Sequence, residues 1–305
     1  MSGEEQIRKE WKVLRNKDMM KKKIAPYLFI LPNLLIFLCF VVVPAIYGLV
    51  YSFTDYDGLS DMKFVGLANY ISIVQDEAFW ETLGRTTMYA AFVVPLIFVC
   101  SLALAMILIQ EIRMKGVFRA IFYWPTMISF IIVGVLWKWI FGDNFGILNY
   151  FLAMGGIEPV KWLTNSVYAN FATILATVWS RIGFFMVIFM GGLQSIPQSY
   201  YEAAVIDGAT KTQIFWRITL PLLRPTSAIV LILSVIDAFK AYPLIVALTG
   251  GGPGKGTTYL VQYIYQYGFE KNEVGYACAM SVLLFVIIGA FTLVQFKNSK
   301  GGITQ

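Results

Sequence analysis

A glycine-rich stretch, residues 247–260, reads ALTGGGPGKGTTYL and has the residue types of a phosphate-binding loop. Such a loop needs glycine, four residues, Gly-Lys and then Ser or Thr, because backbone N–H groups surround the phosphates and the hydroxyl holds Mg²⁺. Here the Gly254-Lys255 pair would need glycine at position 249, where Thr249 stands, and the residue after the lysine is Gly256. The spacing argues against nucleotide binding and favours a tight turn. A surface contacted by another protein remains an open alternative.

Two ionisable residues, Arg181 and Asp237, lie near the middle of long apolar segments. A charge at the centre of a bilayer costs ~2.5–3.5 kcal/mol on insertion scales, so charges in such segments are informative. One interpretation is a polar site for a ligand. The other is a structural ion pair, either Arg181 with Asp237 or Asp237 with Lys240, and the two interpretations are compatible.

Neighbours at helical spacing would complete a ligand site around these charges, because residues three or four apart share a helix face. Small side chains near Asp237 leave room for a ligand, and the ring of Phe184 could stack on a ring of that ligand. The candidate pathway residues are Thr177, Ser180, Arg181, Phe184, Ser234, Asp237, Ala238 and Ala241.

Residue types that support most enzyme chemistry are missing or scattered. The chain has no histidine, which excludes His-dependent triads and most zinc sites. Its three cysteines, Cys39, Cys100 and Cys278, fall inside apolar segments, where packing is their usual role. We therefore predict that this chain alone is not an enzyme and binds no metal or cofactor.

The elements that position these residues are membrane spans. The 305 residues are 58% hydrophobic and 14% charged, whereas soluble domains are about 45–50% apolar and ~25% charged. A span needs ~20 mostly apolar residues, and six segments qualify. The sequence predicts an all-α integral membrane protein with spans at Ala25–Tyr51, Gly84–Ile109, Val117–Phe141, Val167–Gly192, Pro225–Thr249 and Gly275–Phe296.

Lys and Arg in the short loops predict the orientation of the spans. The N-terminal segment 1–24 carries eight of them, and the second and fourth loops and the tail are also basic. The first loop has only Lys63 among six acidic residues. We expect a cytoplasmic N-terminal segment, a six-span domain over 25–296 and a cytoplasmic tail over 297–305. This asymmetry accounts for the net charge of +6 without nucleic acid.

The most informative cytoplasmic loop covers residues 195–224 and reads SIPQSYYEAAVIDGATKTQIFWRITLPLLR. Helix formers lead to Gly208, which suits a left-handed helix stop. Thr210 and Gln213 have the spacing of a capping box for a second helix, which Pro221 is expected to end. Pro225 is expected to open the fifth span. The pattern allows a DNA-binding helix-turn-helix with weak phosphate attraction, a structural loop on the membrane surface, or a docking element.

Within this loop, Glu202-Ala203-Ala204, Asp207-Gly208-Ala209 and Ile218-Thr219-Leu220-Pro221 resemble the EAA loop of binding-protein-dependent ABC importer permeases. More specifically, the sequence resembles the carbohydrate-uptake group of these permeases, which includes the larger maltose permease subunit and the glycerol-phosphate permease. Segments 28–56, 64–70 (FVGLANY) and 248–270 are similar to the first helix and to the first and last external loops of these permeases.

The resemblance implies a type I importer permease in a bacterial cytoplasmic membrane. It also implies its partners: a second homologous permease, an ATPase dimer that binds the ATP and Mg²⁺, an extracytoplasmic sugar-binding protein and a carbohydrate substrate. The loop would dock into the ATPase, with Glu202 and Gly208 important for coupling. The implied coupling residues are Glu202, Ala203, Ala204, Asp207, Gly208, Ala209, Ile218, Leu220 and Pro221.

Sugar-contacting positions in this family lie on the helices that flank the EAA loop, at about the distance of Arg181 and Asp237 from the motif. In this sequence, charged residues occupy positions that are commonly neutral in the family. The spacing from the motif is therefore the same as in the family, but the side chains differ. The alternative function is an ion-driven secondary sugar transporter that acts alone. That class usually has more spans and internal repeats, and this sequence shows no repeat.

Overall fold

The computed structural model describes residues 26–300, so the basic segment 1–24 and most of the predicted tail lie outside the described part. The described chain is helical, with one isolated antiparallel bridge between Thr54 and Phe64. This confirms the predicted all-α membrane class. Thirteen helices follow in order: α1 Pro26–Tyr51, α2 Ala68–Gln75, α3 Glu77–Leu108, α4 Lys115–Met127, α5 Phe130–Ile140, α6 Ile147–Met154, α7 Ser166–Gln194, α8 Gln198–Ile206, α9 Lys211–Leu222, α10 Arg224–Phe239, α11 Pro243–Thr249, α12 Leu260–Tyr265 and α13 Val274–Lys300.

Four helices, α1, α3, α7 and α13, are long and apolar enough to cross a membrane unbroken. The shortest apolar stretch, Val274–Lys297, has 24 residues, which at 1.5 Å per residue is ~36 Å and exceeds the ~30 Å hydrocarbon core. They correspond to the first, second, fourth and sixth predicted spans. Two bent helix pairs raise the number of spans to as many as six.

The third predicted span, Val117–Phe141, is not one straight helix. It is the pair α4 and α5, which meet at an angle of 102°. Pro125 lies in a 3-10 turn at the end of α4, and Ile128 and Ser129 that follow are extended. The pair still passes as one bent span. The bend itself was not predicted, and Pro125 marks it, because proline interrupts the helical hydrogen bonds.

The fifth predicted span, Pro225–Thr249, is also broken. Pro225 opens α10 as expected, but this helix ends at Phe239 after 16 residues, which is ~24 Å and short for a span. Pro243 then begins the separate helix α11, because the residue before a proline is disfavoured in a helix. At its other end α10 meets α9 at 68°.

The core of the molecule lies between α3 and α7, whose side chains interlock along most of their length. Phe98 and Phe189 meet edge to face there, with ring centroids 5.2 Å apart. Helices α5 and α11 form a second close contact at Gly134, where an added Cβ would lie 2.5 Å from the Leu244 carbonyl oxygen. The first contact joins two straight spans and the second joins the two broken ones, and residues of all four helices line a cavity.

Candidate functional site

A cavity of about 280 Å³ lies between α3, α5, α7, α10 and α11. Six of the eight predicted pathway residues line it: Thr177, Arg181, Ser234, Asp237, Ala238 and Ala241. Helix α7 supplies the first two, and α10 with its C-terminal end supplies the other four. The structure therefore brings together, in one cavity, most of the residues that the sequence placed around two separate charges.

Arg181 and Asp237 form an ion pair in the wall of this cavity, with Arg181 Nη2 3.0 Å from Asp237 Oδ2. The two side chains keep 24% and 33% of their surface exposed. The guanidinium carbon also lies 4.5 Å from the centroid of the Phe130 ring, a cation–π distance. The geometry therefore fits both interpretations, the ion pair and the ligand site. Arg181 and Asp237 neutralise each other, and both still line the cavity.

The polar groups beside the ion pair are held by hydrogen bonds. Tyr89 donates its hydroxyl hydrogen to Thr177 Oγ1 at 2.8 Å, which fixes a polar oxygen on the cavity wall. Ser234 donates to the Leu231 carbonyl at 3.1 Å and keeps acceptor lone pairs. The site can offer a cation, a carboxylate and hydroxyl oxygens to a polar ligand, with apolar surface around them.

Two predicted pathway residues do not line the cavity. Ser180 is fully buried and donates to the Thr177 carbonyl within α7 at 2.9 Å. Phe184 lies about one turn beyond Arg181, and its ring packs edge to face on Phe185, with centroids 5.2 Å apart. The expectation that Phe184 stacks beside the cavity therefore does not match its position in this structure.

Sequence reasoning missed the residues that the two helix breaks bring into the wall. Phe130 opens α5, directly after the bend, and Tyr242 and Ile245 lie at the start of α11. Lys240, which the sequence had offered as a partner of Asp237, lies at the end of α10 and gives the cavity a second cation. The available signal was proline inside a predicted span, since Pro125 and Pro243 mark both breaks.

A second candidate site is the loop between α7 and α10, formed by α8 and α9. Gly208 ends α8 with a left-handed φ of +74°, as predicted. Ala209 N–H bonds to the Ala204 carbonyl and Gly208 N–H to the Val205 carbonyl, the two bonds of a Schellman stop. Thr210 and Gln213 form the predicted capping box at the start of α9. The turn is therefore fixed by backbone and capping bonds.

The carboxylate of Asp207 makes no hydrogen bond or ion pair with any described residue, so it does not clamp this turn. The second helix was expected to end at Pro221, and α9 ends one residue later, at Leu222. A π turn, Phe215–Thr219, precedes the proline, and Leu220 N–H bonds to the Phe215 carbonyl five residues back. Pro221 lies in the first helical turn after the π turn, where a missing backbone N–H is tolerated.

The loop has an inner and an outer surface. Ala204 is buried, and the Tyr201 hydroxyl lies 3.3 Å from Thr219 Oγ1, so these residues hold α8 against α9. Ile218, Leu220 and Pro221 are also partly covered. The exposed surface carries Glu202, Ala203, Asp207, Gly208 and the apolar side chains of Val205 and Ile206. This surface mixes charge with uncovered apolar area, as a docking surface does.

At the opposite end of the spans, the glycine-rich stretch packs on α7. Asn170 donates its amide to the Gly256 carbonyl at 3.0 Å, and Gln262 donates to the Gly250 carbonyl at 3.0 Å. Gly251 has a φ of +91°, and an added Cβ there would lie 2.6 Å from Gln262 Nε2. The stretch is a tightly held turn, and its packing explains the glycines without a bound phosphate.

Asp76 joins three elements at this same end. Its carboxylate caps α3 and accepts hydrogen bonds from the hydroxyls of Tyr263, at 2.8 Å, and Tyr276, at 3.0 Å. Partial burial alone would raise the pKa of Asp76, but these hydrogen bonds outweigh burial and lower its pKa below the usual value. The ionised carboxylate thus ties α3 to α12 and α13.

Comparison with known proteins identifies the family. The profile of the binding-protein-dependent transport system inner membrane components matches residues 97–298. The chain belongs to this family. The match includes the cavity residues of α7 and α10 and the whole loop between them, and it confirms the resemblance carried by the EAA motif.

Two permeases of known systems match almost end to end. The trehalose/maltose transport system permease MalF of Thermococcus litoralis is 36% identical over 275 residues, which cover 90% of this chain and 93% of MalF. The sn-glycerol-3-phosphate transport system permease UgpA of Yersinia enterocolitica is 35% identical over 277 residues, covering 89% of this chain and 92% of UgpA. The protein is therefore a permease subunit of an ABC importer.

A solved structure shares the fold over nearly the whole permease. It is a bacterial ABC transporter involved in the import of the acidic polysaccharide alginate, and one chain of it superposes with a TM-score of 0.82. The two chains are 25% identical, and the match covers 95% of this chain and 100% of the other. The permease is thus a multi-pass membrane protein with the importer fold, in a family of transporters rather than enzymes.

Proposed function

We propose that this permease forms half of the translocation pathway of an ATP-driven carbohydrate importer. The other half is a second homologous permease, a separate ATPase dimer binds ATP and Mg²⁺, and an extracytoplasmic sugar-binding protein delivers the substrate. The relatives named for trehalose/maltose and sn-glycerol-3-phosphate transport support a sugar or a phosphorylated polyol as substrate.

The observation that carries the proposal is the placement of the cavity and the loop on the same two helices. Arg181 lies on α7 and Asp237 on α10, and the α8–α9 loop connects these helices directly. A displacement of the loop therefore moves two walls of the cavity. The ion pair and the Thr177 hydroxyl provide the polar contacts for a substrate, and the chain itself carries out no chemical step.

The exposed surface of the loop is the proposed contact with the ATPase. Glu202 and Asp207 supply charge, and Val205 and Ile206, 66% and 85% exposed, supply apolar area. Burying apolar surface stabilises a contact by roughly 25 cal/mol per Å². Because the turn at Gly208 is fixed by its backbone bonds, force applied to α8 passes to α7 and α10 rather than bending the loop.

The orientation follows from this role. The α8–α9 loop and both termini lie in the cytoplasm, in agreement with their Lys and Arg residues. The glycine-rich stretch and the acidic first loop lie outside, where they meet the binding protein. The nucleotide therefore stays with the ATPase, and this permease needs no cofactor of its own.

The test replaces Gly208 in the complete importer reconstituted in vesicles. Gly208→Val forces a β-branched residue into a left-handed conformation, a strain of order 1–3 kcal/mol, and we expect it to abolish most of the substrate-stimulated ATP hydrolysis. Gly191→Ala, on α7 with no atom within 4 Å of the added Cβ, is the matched control.

The measurement is ATPase activity with binding protein, in the presence of maltose, trehalose or sn-glycerol-3-phosphate. Co-purification of the ATPase reports whether each variant assembles. A Gly208→Val complex that assembles and keeps full stimulation would contradict the coupling role of the loop. Uptake by vesicles that contain this chain without any ATPase would contradict the importer assignment itself.

A further inference from the structure

Helix α6, between α5 and α7, has an apolar face that no described part of the chain covers. Ile147, Tyr150, Phe151 and Met154 recur at i, i+3, i+4 and i+7, the spacing of one helix face. Each keeps more than half of its surface exposed. Phe145, just before the helix, is 99% exposed. Large side chains of this kind rarely form a contiguous face to water.

The orientation of this face is fixed by a buried amide on the opposite side of α6. Asn149 donates to the Asp143 carbonyl at 2.9 Å and to the Val160 carbonyl at 2.8 Å. Its oxygen accepts from Val160 N–H at 3.0 Å and from Trp162 Nε1 at 2.9 Å. The segment is therefore a built element that turns its aromatic face outward, and not a loose loop.

The chemistry of the segment fits a lipid surface. Residues 144–157 contain no Asp, Glu, Lys or Arg, whereas residues 55–63 of the first loop contain Asp55, Asp57, Asp61 and Lys63. A surface that waits in water for a protein partner normally keeps a polar rim. Aromatic and aliphatic side chains on one face of a short helix are instead typical of helices that lie in the bilayer interface.

The face also lies close to an exposed apolar surface on α5. On α5, four apolar side chains are exposed in the described chain: Ile132, Val135, Leu136 and Trp139. The bent pair of α4 and α5 is long and apolar enough for a membrane span. Trp139 lies in the last turn of α5, where tryptophan marks the membrane–water interface. Helix α6 begins seven residues after α5 ends, and the two helices are in contact, so the apolar face of α6 lies near this end of α5.

We infer that α6 lies along the membrane interface, with the Tyr150 and Phe151 side chains inserted among the phospholipid acyl chains. Helix α5 has only 11 residues, ~16 Å, so it cannot cross the bilayer alone. The lipid contact of α6 supports its outer end. Because α5 carries Phe130, which lies 4.5 Å from Arg181, the bilayer holds one wall of the cavity in place. This inference does not depend on the substrate.

The experiment measures which medium surrounds α6 in the assembled permease–ATPase complex. The native cysteines, Cys39, Cys100 and Cys278, are replaced by alanine, and a bimane label is attached to Phe151→Cys. The complex is placed in nanodiscs of phosphatidylcholine and phosphatidylglycerol. Quenching by lipids with a doxyl group on the acyl chain is compared with quenching by aqueous iodide.

Two labelled controls define the extremes. Ile132→Cys, on the exposed apolar side of α5, is the reference for a membrane segment. Leu59→Cys, 89% exposed in the charged first loop, reports water. Tyr150→Cys repeats the measurement on the same face of α6, in case the Phe151 variant does not assemble.

We expect the labels on α6 to behave like the label on α5, with doxyl-lipid quenching several-fold stronger than iodide quenching. Labels that iodide quenches as strongly as at position 59 would overturn the inference, because the face would then be in water. Labels shielded from both quenchers would also overturn it, since another protein subunit would then cover the face.

Discussion

The ion pair of Arg181 and Asp237 shows how single residues connect stability with the proposed transport. Each side chain carries a charge that is costly in a membrane segment, and the 3.0 Å contact between them reduces that cost. Both side chains also face the cavity. A substitution at either position therefore has two possible effects, one on the fold and one on the passage of substrate, and these effects can be measured separately.

Asp237→Asn leaves the Arg181 guanidinium without its counter-charge. Removing one partner of a fully buried pair costs about 3–5 kcal/mol and of an exposed pair about 0–1, so for this partly exposed pair we expect ~1–3 kcal/mol. Thermal unfolding of the purified complex measures the loss, and Glu273→Gln, an exposed carboxylate, is the control.

The double variant Arg181→Gln with Asp237→Asn separates the two effects. We expect it to regain most of the stability, because no charge is left unpaired, but not the uptake of substrate into vesicles. Recovery of both stability and uptake would show that the pair is structural only. Equal losses in the single and double variants would show that the two residues do not interact.

At the scale of elements, the broken spans define the cavity. Helix α5 after its 102° bend, and α11 after the break at Pro243, lie against each other and against α7. Their contact depends on Gly134, which lets the α11 backbone approach. A straight third or fifth span would remove Phe130 and Tyr242 from the cavity wall.

Gly134→Ala tests this contact. The added Cβ would lie 2.5 Å from the Leu244 carbonyl oxygen and 2.6 Å from the Ala247 Cβ, so α5 and α11 must move apart. Overpacking of this kind costs typically about 1–3 kcal/mol, and we expect a lower midpoint of thermal unfolding. Gly289→Ala on α13, with no atom within 4 Å of the new Cβ, should be neutral or stabilising. Equal midpoints for the two variants would contradict the close packing.

At the scale of the whole molecule, the end of the bundle opposite the α8–α9 loop is held by a few polar groups. Asp76 connects α3 with α12 and α13 through two tyrosine hydroxyls. The Tyr263 hydroxyl, whose hydrogen goes to Asp76, also lies 3.1 Å from the Tyr267 hydroxyl, and the Lys271 ammonium lies 3.5 Å from the centroid of the Tyr267 ring. The stability of this end should therefore depend on the charge of one carboxylate.

The pKa of Asp76 is lowered in the folded protein, which sets the sign of the pH dependence. Its stabilisation is fully present above the unfolded pKa, near 3.9, and is lost as the pH falls through the folded pKa. We expect Asp76→Asn to unfold at a lower temperature than the wild type at pH 7, and the difference to shrink as the pH falls below 4.

The measurement is the midpoint of thermal unfolding from pH 7 to pH 3 for both proteins. Asp57→Asn is the control, because the pKa of Asp57 is about 2 through hydrogen bonds from the Ser60 side chain and from the Ser60 and Leu59 backbones. Those bonds stay inside one exposed loop and join no helices. A constant difference between the wild type and Asp76→Asn across this range would contradict the role of the ionised carboxylate.

The sequence by itself determined the membrane class, the approximate positions of the spans, the EAA loop and the family. Local sequence patterns indicate these features: runs of apolar residues, a glycine stop at Gly208 and a capping box from Thr210 to Gln213. Each depends on residues close together in the chain, so hydrophobicity and backbone preference are enough to predict it.

The tertiary structure decided what those patterns leave open. Arg181 and Asp237 are 56 residues apart, and only the packing of α7 against α10 makes them a pair. The bends that bring Phe130 and Tyr242 to the cavity depend on contacts such as Gly134 with α11, because proline allows a break without fixing its angle. Ser180, adjacent to Arg181 in the chain, and Phe184, three residues after it, lie outside the cavity, since neighbouring helices determine which face of α7 lines it.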